Sequence, residues 1–198
     1  MFAIAKPSAE RIRRFLDEQR ELPLSYSHVG ASNATLPAGY NIDHNRIQLG
    51  HGEQVFNRAV TAVRNWKMHD LGWLELCWPD APIEAGSTVA VLCRHFGFWS
   101  CHPAKVVYVI DEADEHSRRF GFGYGTLPAH DEEGEERFLI EWRREDDSVW
   151  YDILAFSRPS SFLARLGYPL VRMLQRRFGQ DSKQVMFNTV NRNVTKPS

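Results

Sequence analysis

The stretch from Trp73 to Arg158 constrains this chain more than any other feature. It offers strand-like segments at 73–78, 87–99, 104–111, 118–127, 135–144 and 148–158, rich in Val, Ile, Phe, Tyr and Trp. The breaks between them are Pro79-Asp80-Ala81-Pro82, Cys101-His102-Pro103, Asp111 to Ser117, Pro128 to Gly134 and Glu145-Asp146-Asp147. Parallel neighbours need a crossover of about a dozen residues or more, usually a helix. These breaks are too short for that, so the strands are expected to pair antiparallel as a meander. Gly97 marks a candidate bend inside 87–99.

The flanks read as helices. Ser8 is placed to cap a first helix with a narrow stripe of Ile12, Phe15 and Leu16, and Pro23 ends it. Residues 24–43 read as irregular chain and 45–49 as a short strand. Gly50-His51-Gly52 opens a second helix over 53–68, where Val55, Phe56, Ala59, Val63 and Trp66 recur at helical spacing. A final helix is expected from Ser160 or Ser161, with Leu163, Leu166, Leu170, Leu174 and Phe178 on one face and a kink or break at Pro169. Only this helix is long and apolar enough to cover one sheet face. The expected class is α+β: a curved antiparallel meander gripping a long C-terminal helix. The expected organisation is an N-terminal helical extension (1–23), one domain (24–187) and a polar tail (188–198).

Charge and composition exclude several classes. A formal net charge of −1 gives no global field to draw nucleic acid or an anionic membrane. No apolar run approaches the ~20 residues of a bilayer span, so stable membrane insertion is not expected. The start Met-Phe-Ala-Ile-Ala-Lys-Pro is too short and interrupted for a signal peptide. Cys77, Cys93 and Cys101 lack a disulfide-rich spacing, so reduced thiols and a cytoplasmic location are expected.

Alternation along 120–126 puts Phe120, Phe122, Tyr124 and Thr126 on one face and Gly121, Gly123 and Gly125 on the other. Bare glycine backbone invites close packing by a bulky neighbour, such as Trp142 or Trp150, and this is favoured over a ligand lying there. Along 135–144, Glu136 shares a face with Phe138, Ile140 and Trp142, while Glu135, Arg137, Leu139 and Glu141 take the other. A carboxylate on an apolar face is either a general acid or base with a raised pKa, or half of a salt bridge to Arg158 or Arg119; the salt bridge is favoured. His130, in the loop before, is a candidate partner for Tyr124 and Glu136 in a small acid–base cluster.

Other patterns carry less. Cys93, His95, Cys101 and His102 are metal-ligand types at a spacing that fits no zinc finger or knuckle, so no metal or cofactor is expected. Gly121 to Gly125 lacks the Gly-Lys-Ser/Thr ending of a phosphate loop. Arg165, Arg172 and Arg176 form a stripe whose default role is a solvated helix face.

Tyr26-Ser27-His28-Val29-Gly30, Leu49-Gly50-His51-Gly52, Gly121-Phe122-Gly123-Tyr124-Gly125-Thr126-Leu127-Pro128 with His130, Gly134-Glu135-Glu136-Arg137-Phe138 and Ala155-Phe156-Ser157-Arg158-Pro159 resemble the DUF1990 (UPF0548) domain family, over about residues 24–180. The element order is similar to the helix-grip superfamily of START-type lipid carriers, polyketide cyclases and plant pathogenesis-related proteins. That likeness implies an apolar cavity beneath the C-terminal helix.

The leading expectation is a protein that binds a small hydrophobic or amphipathic molecule there. Its expected walls are Phe122 or Tyr124, Phe138, Ile140, Trp142, Leu154, Phe156, Arg158, Leu170 and Leu174, and a one-residue register slip would exchange the set. The second expectation is a cyclase- or hydrolase-like enzyme using His130 and Glu136 with Tyr124. The third is an interaction module or homodimer, because strand 104–111 is apolar on both faces and the second face needs cover from the N-terminal helix, residues 24–43 or a partner.

Overall fold

The computed structural model describes residues 1–95, 97–160 and 168–192. Its elements in chain order are β1 (Phe2–Ala3), α1 (Ala9–Arg20), β2 (Asn41–His51), α2 (Glu53–Arg64), β3 (Leu74–Cys77), β4 (Thr88–His95), β5 (Phe98–Ala113), β6 (Ser117–Thr126), β7 (Glu132–Arg143), β8 (Ser148–Pro159) and α3 (Tyr168–Asn191). The sheet runs β2-β8-β7-β6-β5-β4-β3, and β1 adds to the end of β5. All of these neighbours are antiparallel. The expected α+β meander with its C-terminal helix is the observed architecture.

Some boundaries differ from the sequence reading, each for a physical reason. Cys101-His102-Pro103 is not a break. β5 runs through it, and the chain reverses near Gly97, whose φ of 79° suits a turn. Pro103 fits because of where its nitrogen points. Cys101 N–H donates to the Met1 carbonyl, so the nitrogen two residues on faces the same edge, in the gap between the β1 and β6 pairings. A missing donor costs no ladder bond there. α2 stops at Arg64, where Trp66 takes φ 53° and a short 3₁₀ turn, Lys67–His69, follows. β2 is longer than expected. At the C-terminus, α3 continues past the expected fray: Val190 is buried and the Asn191 amide donates to the Leu49 carbonyl. Pro169 falls in the first turn of the described helix. The expected helix start, with Leu163, Arg165 and Leu166, lies outside the described residues.

The two sheet faces are covered differently. On the convex face, Ile12 and Leu16 of α1 pack on Cys77, Ala90, Leu92 and Cys101. The segment between α1 and β2 covers β6 to β8, and its anchor is Glu135. The Glu135 carboxylate accepts from the Tyr26 hydroxyl (2.6 Å), the Gly30 amide (2.7 Å), and the Ser32 amide and hydroxyl (3.0 and 2.6 Å). Gly123 and Gly125 make room for this cover. A Cβ on Gly125 would lie 2.2 Å from the Tyr26 hydroxyl, and one on Gly123 2.4 Å from the Tyr108 ring. Close packing is therefore the reason for the bare strand, with Tyr26 and Tyr108 rather than Trp142 or Trp150 as the neighbours. The chain itself covers part of 104–111: Tyr108 meets Ser32, and Lys105 donates to the Arg20 and Leu22 carbonyls, while Val109 stays exposed.

The concave face carries the main core. Phe56 and Val63 of α2, with Trp66 and Met68 after it, pack on Phe120, Phe122, Phe138, Ile140 and Trp142. Met186 and Val190 of α3 join that core, and Tyr151 shares a 2.9 Å hydrogen bond with Ser182.

Substituting Glu135→Ala leaves several buried donors without an acceptor, each worth about 1–3 kcal/mol. We expect urea denaturation to show a loss of about 3 kcal/mol or more. Gly125→Ala is expected to lose about 1–3 kcal/mol by overpacking against Tyr26. A neutral outcome for both would remove the anchor from the account.

Candidate functional site

The amino-terminal half of α3 stands off the sheet and leaves a cavity of about 600 Å³. Its size falls within the ~300–1,000 Å³ typical of small-molecule sites. Alternation sets its walls. Asp43 and Asn45 come from β2, Val91, Cys93 and His95 from β4, and Ser100, His102 and Ala104 from β5. Tyr124 comes from β6, Glu132 and Glu136 from β7, and Ile153, Ala155 and Ser157 from β8. Leu170, Leu174, Gln175 and Phe178 of α3 form the roof, and His69 and Trp73 close one side. Gly179 brings the helix against β2, since a Cβ there would meet the Asn45 side chain at 2.5 Å.

Two carboxylates inside this space have only neutral donors. Glu136 accepts one hydrogen bond, from the Tyr124 hydroxyl at 2.8 Å. Burial pushes its pKa up to about 7; the tyrosine bond opposes that rise, and Glu132 and Asp43 add to it. Glu132 accepts from Ser157 (3.0 Å) and from the Gln175 amide (2.8 Å to each oxygen), which ties β7 to α3. Burial also raises Glu132 to about 7, against its hydrogen bonds and the Arg172 charge. Arg172 itself is held by Asp43 and Gln175. Among the described residues, no lysine or arginine lines the cavity.

Three histidines of the wall are shifted toward the neutral form. Burial lowers His69, His102 and His130 to about 3. His69 is 2% exposed, its Nδ1 has no partner among the described residues, and its Nε2 lies 3.5 Å from the Tyr124 hydroxyl. His102 bonds Ser100 at 2.7 Å and its ring lies 4.9 Å from that of His130.

A family model described as "Domain of unknown function (DUF1990)" matches residues 25–185. The chain belongs to the DUF1990 family. A UPF0548 protein of Dictyostelium discoideum is 37% identical over 210 residues, covering 98% of this chain and 97% of that one. A UPF0548 protein of Deinococcus radiodurans is 36% identical, covering 89% and 92%. The crystal structure of TTHA0849 from Thermus thermophilus matches with a TM-score of 0.51 at 12% identity, covering 79% of this chain and all of that one. That last likeness is one of fold, and the fold is the helix-grip arrangement: a curled antiparallel sheet with a long C-terminal helix across its concave side. Among the described residues, no helix is long and apolar enough to cross a membrane.

In this DUF1990 chain the expected site residues separate into groups. Tyr124, Glu136, His130, Leu170 and Leu174 border the cavity. His130 is not joined to Glu136: its Nδ1 accepts from the Glu132 amide at 3.0 Å. Phe122, Phe138, Ile140 and Trp142 share the concave face but lie in the packed core, where Trp142 donates to Asp147.

Leu154, Phe156 and Arg158 are on the convex side and do not line the cavity. Phe138 pairs with Ile153, so the cavity residues of β8 are the odd-numbered ones. Phe156 packs edge-on against Tyr26 and Tyr40, and Arg158 sits over Tyr40 and bonds Glu133. The expected salt bridge of Glu136 to Arg158 or Arg119 is absent, because those arginines pair with Glu133 and Glu112. Cys93 faces the cavity beside His95, whereas Cys101 faces α1. The sequence reading missed His69, Asp43, Glu132, Ser157 and Gln175. Only the shared face of Glu132 with Glu136 was available as a signal.

An acid whose folded pKa exceeds its unfolded value binds more protons folded than unfolded across that interval. Its contribution to stability therefore falls as pH rises from about 4.5 to about 7. Glu136→Gln removes that loss. Relative to the parent chain, the variant is expected to gain about 2–3 kcal/mol between pH 5 and pH 8 in urea denaturation. A difference that does not change with pH contradicts the raised pKa of Glu136.

Proposed function

We propose that this protein binds a small amphipathic molecule in the cavity between the sheet and α3. The observation that carries the reading is the cavity itself: about 600 Å³, with a mostly apolar wall surface and the half-buried Glu136 carboxylate on its floor. A concave pocket of this size, with a few polar groups converging on a mostly apolar surface, has the form of a small-molecule site. Apolar surface from Val91, Ile153, Leu170 and Leu174 would hold the body of the guest. Tyr124 and Glu136 would fix its polar end.

A second reading is favoured by one further contact. The Tyr124 hydroxyl lies between Glu136 and His69, at 2.8 and 3.5 Å. A carboxyl with a pKa near 7 beside a tyrosine is suited to moving a proton on a bound substrate. In that reading His69 takes the place expected for His130.

The neutral dye N-phenyl-1-naphthylamine tests the binding reading. Its fluorescence is expected to rise on saturable binding to the parent protein. Ala155→Trp, which puts an indole into the cavity, is expected to weaken that binding ~10-fold or more while the protein stays folded by circular dichroism. Equal binding by the folded variant would place the dye elsewhere and overturn the reading.

A further inference from the structure

We propose that the guest carries a positive charge, an ammonium group on an apolar body, and that this group binds the free oxygen of Glu136. The inference rests on the cavity reading and sharpens it to a ligand class.

Three observations converge on it. First, Glu136 is incompletely partnered. Tyr124 bonds Oε2, while Oε1 has no hydrogen-bond partner among the described residues. Glu136 is half-buried, and its free oxygen is open to the cavity, where a donor on a guest can reach it. Second, among the described residues the cavity wall carries carboxylates and no lysine or arginine. Glu132 has amide and hydroxyl partners, and the Asp43 carboxylate consumes the Arg172 guanidinium. An anionic guest would be repelled, and a neutral hydroxyl could donate one hydrogen bond to Glu136 but would bring no charge to balance it. An ammonium supplies both the charge and the donors that are missing. Third, Tyr124 and Phe178 bring aromatic rings to the same wall, and His69, packed against both, has an Nδ1 with no partner among the described residues. Ring faces attract cations.

Protons provide an independent readout. The groups acting on Glu136 are Tyr124 from β6, Glu132 on its own strand, Asp43 from β2 and Tyr151 from β8, with His69 beyond Tyr124. Glu136 and Glu132 are held near pKa 7, so an arriving ammonium drives proton release. Binding of a cationic guest is therefore expected to weaken as pH falls below about 7, where the carboxyl must first lose its proton.

The test uses octylamine, octanol and octanoate to displace N-phenyl-1-naphthylamine at pH 7. Octylamine is expected to compete ~10-fold or more better than either of the others, a difference of the size that one charge-assisted bond supplies. Glu136→Gln, checked for folding by its own dye binding, is expected to bring the three within ~3-fold. Calorimetry of octylamine binding in two buffers of different ionisation enthalpy should show net proton release. Displacement by all three to the same degree, or a preference for octanol or octanoate, overturns the ammonium while leaving the cavity reading intact. A dye that never binds the parent protein overturns both.

Discussion

The concave face of the curled sheet is wider than the chain laid across it can fill, and the rest of the structure follows from that mismatch. At one end the problem is solved by bulk. Phe56, Trp66 and Met68 interlock with Phe122, Phe138 and Ile140, each at most 2% exposed. At the other end only the amino-terminal half of α3 is available, and it stands off. The carboxyl-terminal half reaches the packed region through Ser182, Met186 and Val190. The helix is thus anchored at its far end and forms a roof at its near end.

A roofed space can be made stable without a guest if its polar groups are satisfied from the walls. Glu132 approaches that state, since Gln175 and Ser157 bond both of its oxygens. Glu135, four bonds deep on the opposite face, reaches it fully and fixes the segment between α1 and β2. Glu136 does not. One strand therefore carries an anchoring carboxylate and an unpaired one at adjacent positions, separated by the alternation of the pleat. The contrast distinguishes a residue that holds the fold from one that is open to a ligand.

Much of the fold was legible because short breaks between strand-like runs permit few topologies. The faces of 120–126 and 135–142 were legible because Gly alternates with Phe and Tyr, and charge alternates with Phe, Ile and Trp. β8 was harder to read, because Leu154 and Phe156 share a face with Asp152 and Arg158, so each face holds large apolar residues. Ile153 faces the cavity while Leu154 and Phe156 lie on the covered convex side with Asp152 and Arg158, whose charges were the one available signal. The division of the concave face into a packed end and an open end was also hidden. It depends on where α2 and the 3₁₀ turn after it place Phe56, Trp66 and His69, which strand spacing does not record. Cys101 to Pro103 read as a turn because a proline in a strand is tolerated only where a neighbouring strand is missing, and that gap is visible only once β1 and β6 are both docked on β5.

Methyl-resolved NMR on the intact protein during addition of octylamine tests the central claim, that one end of the concave face is open and the other is solid. The account predicts saturable shift changes at Val91, Ile153, Leu170 and Leu174, with Ile140 and Val149 unmoved. Changes spread over both ends, or confined to the outer surface, would contradict it.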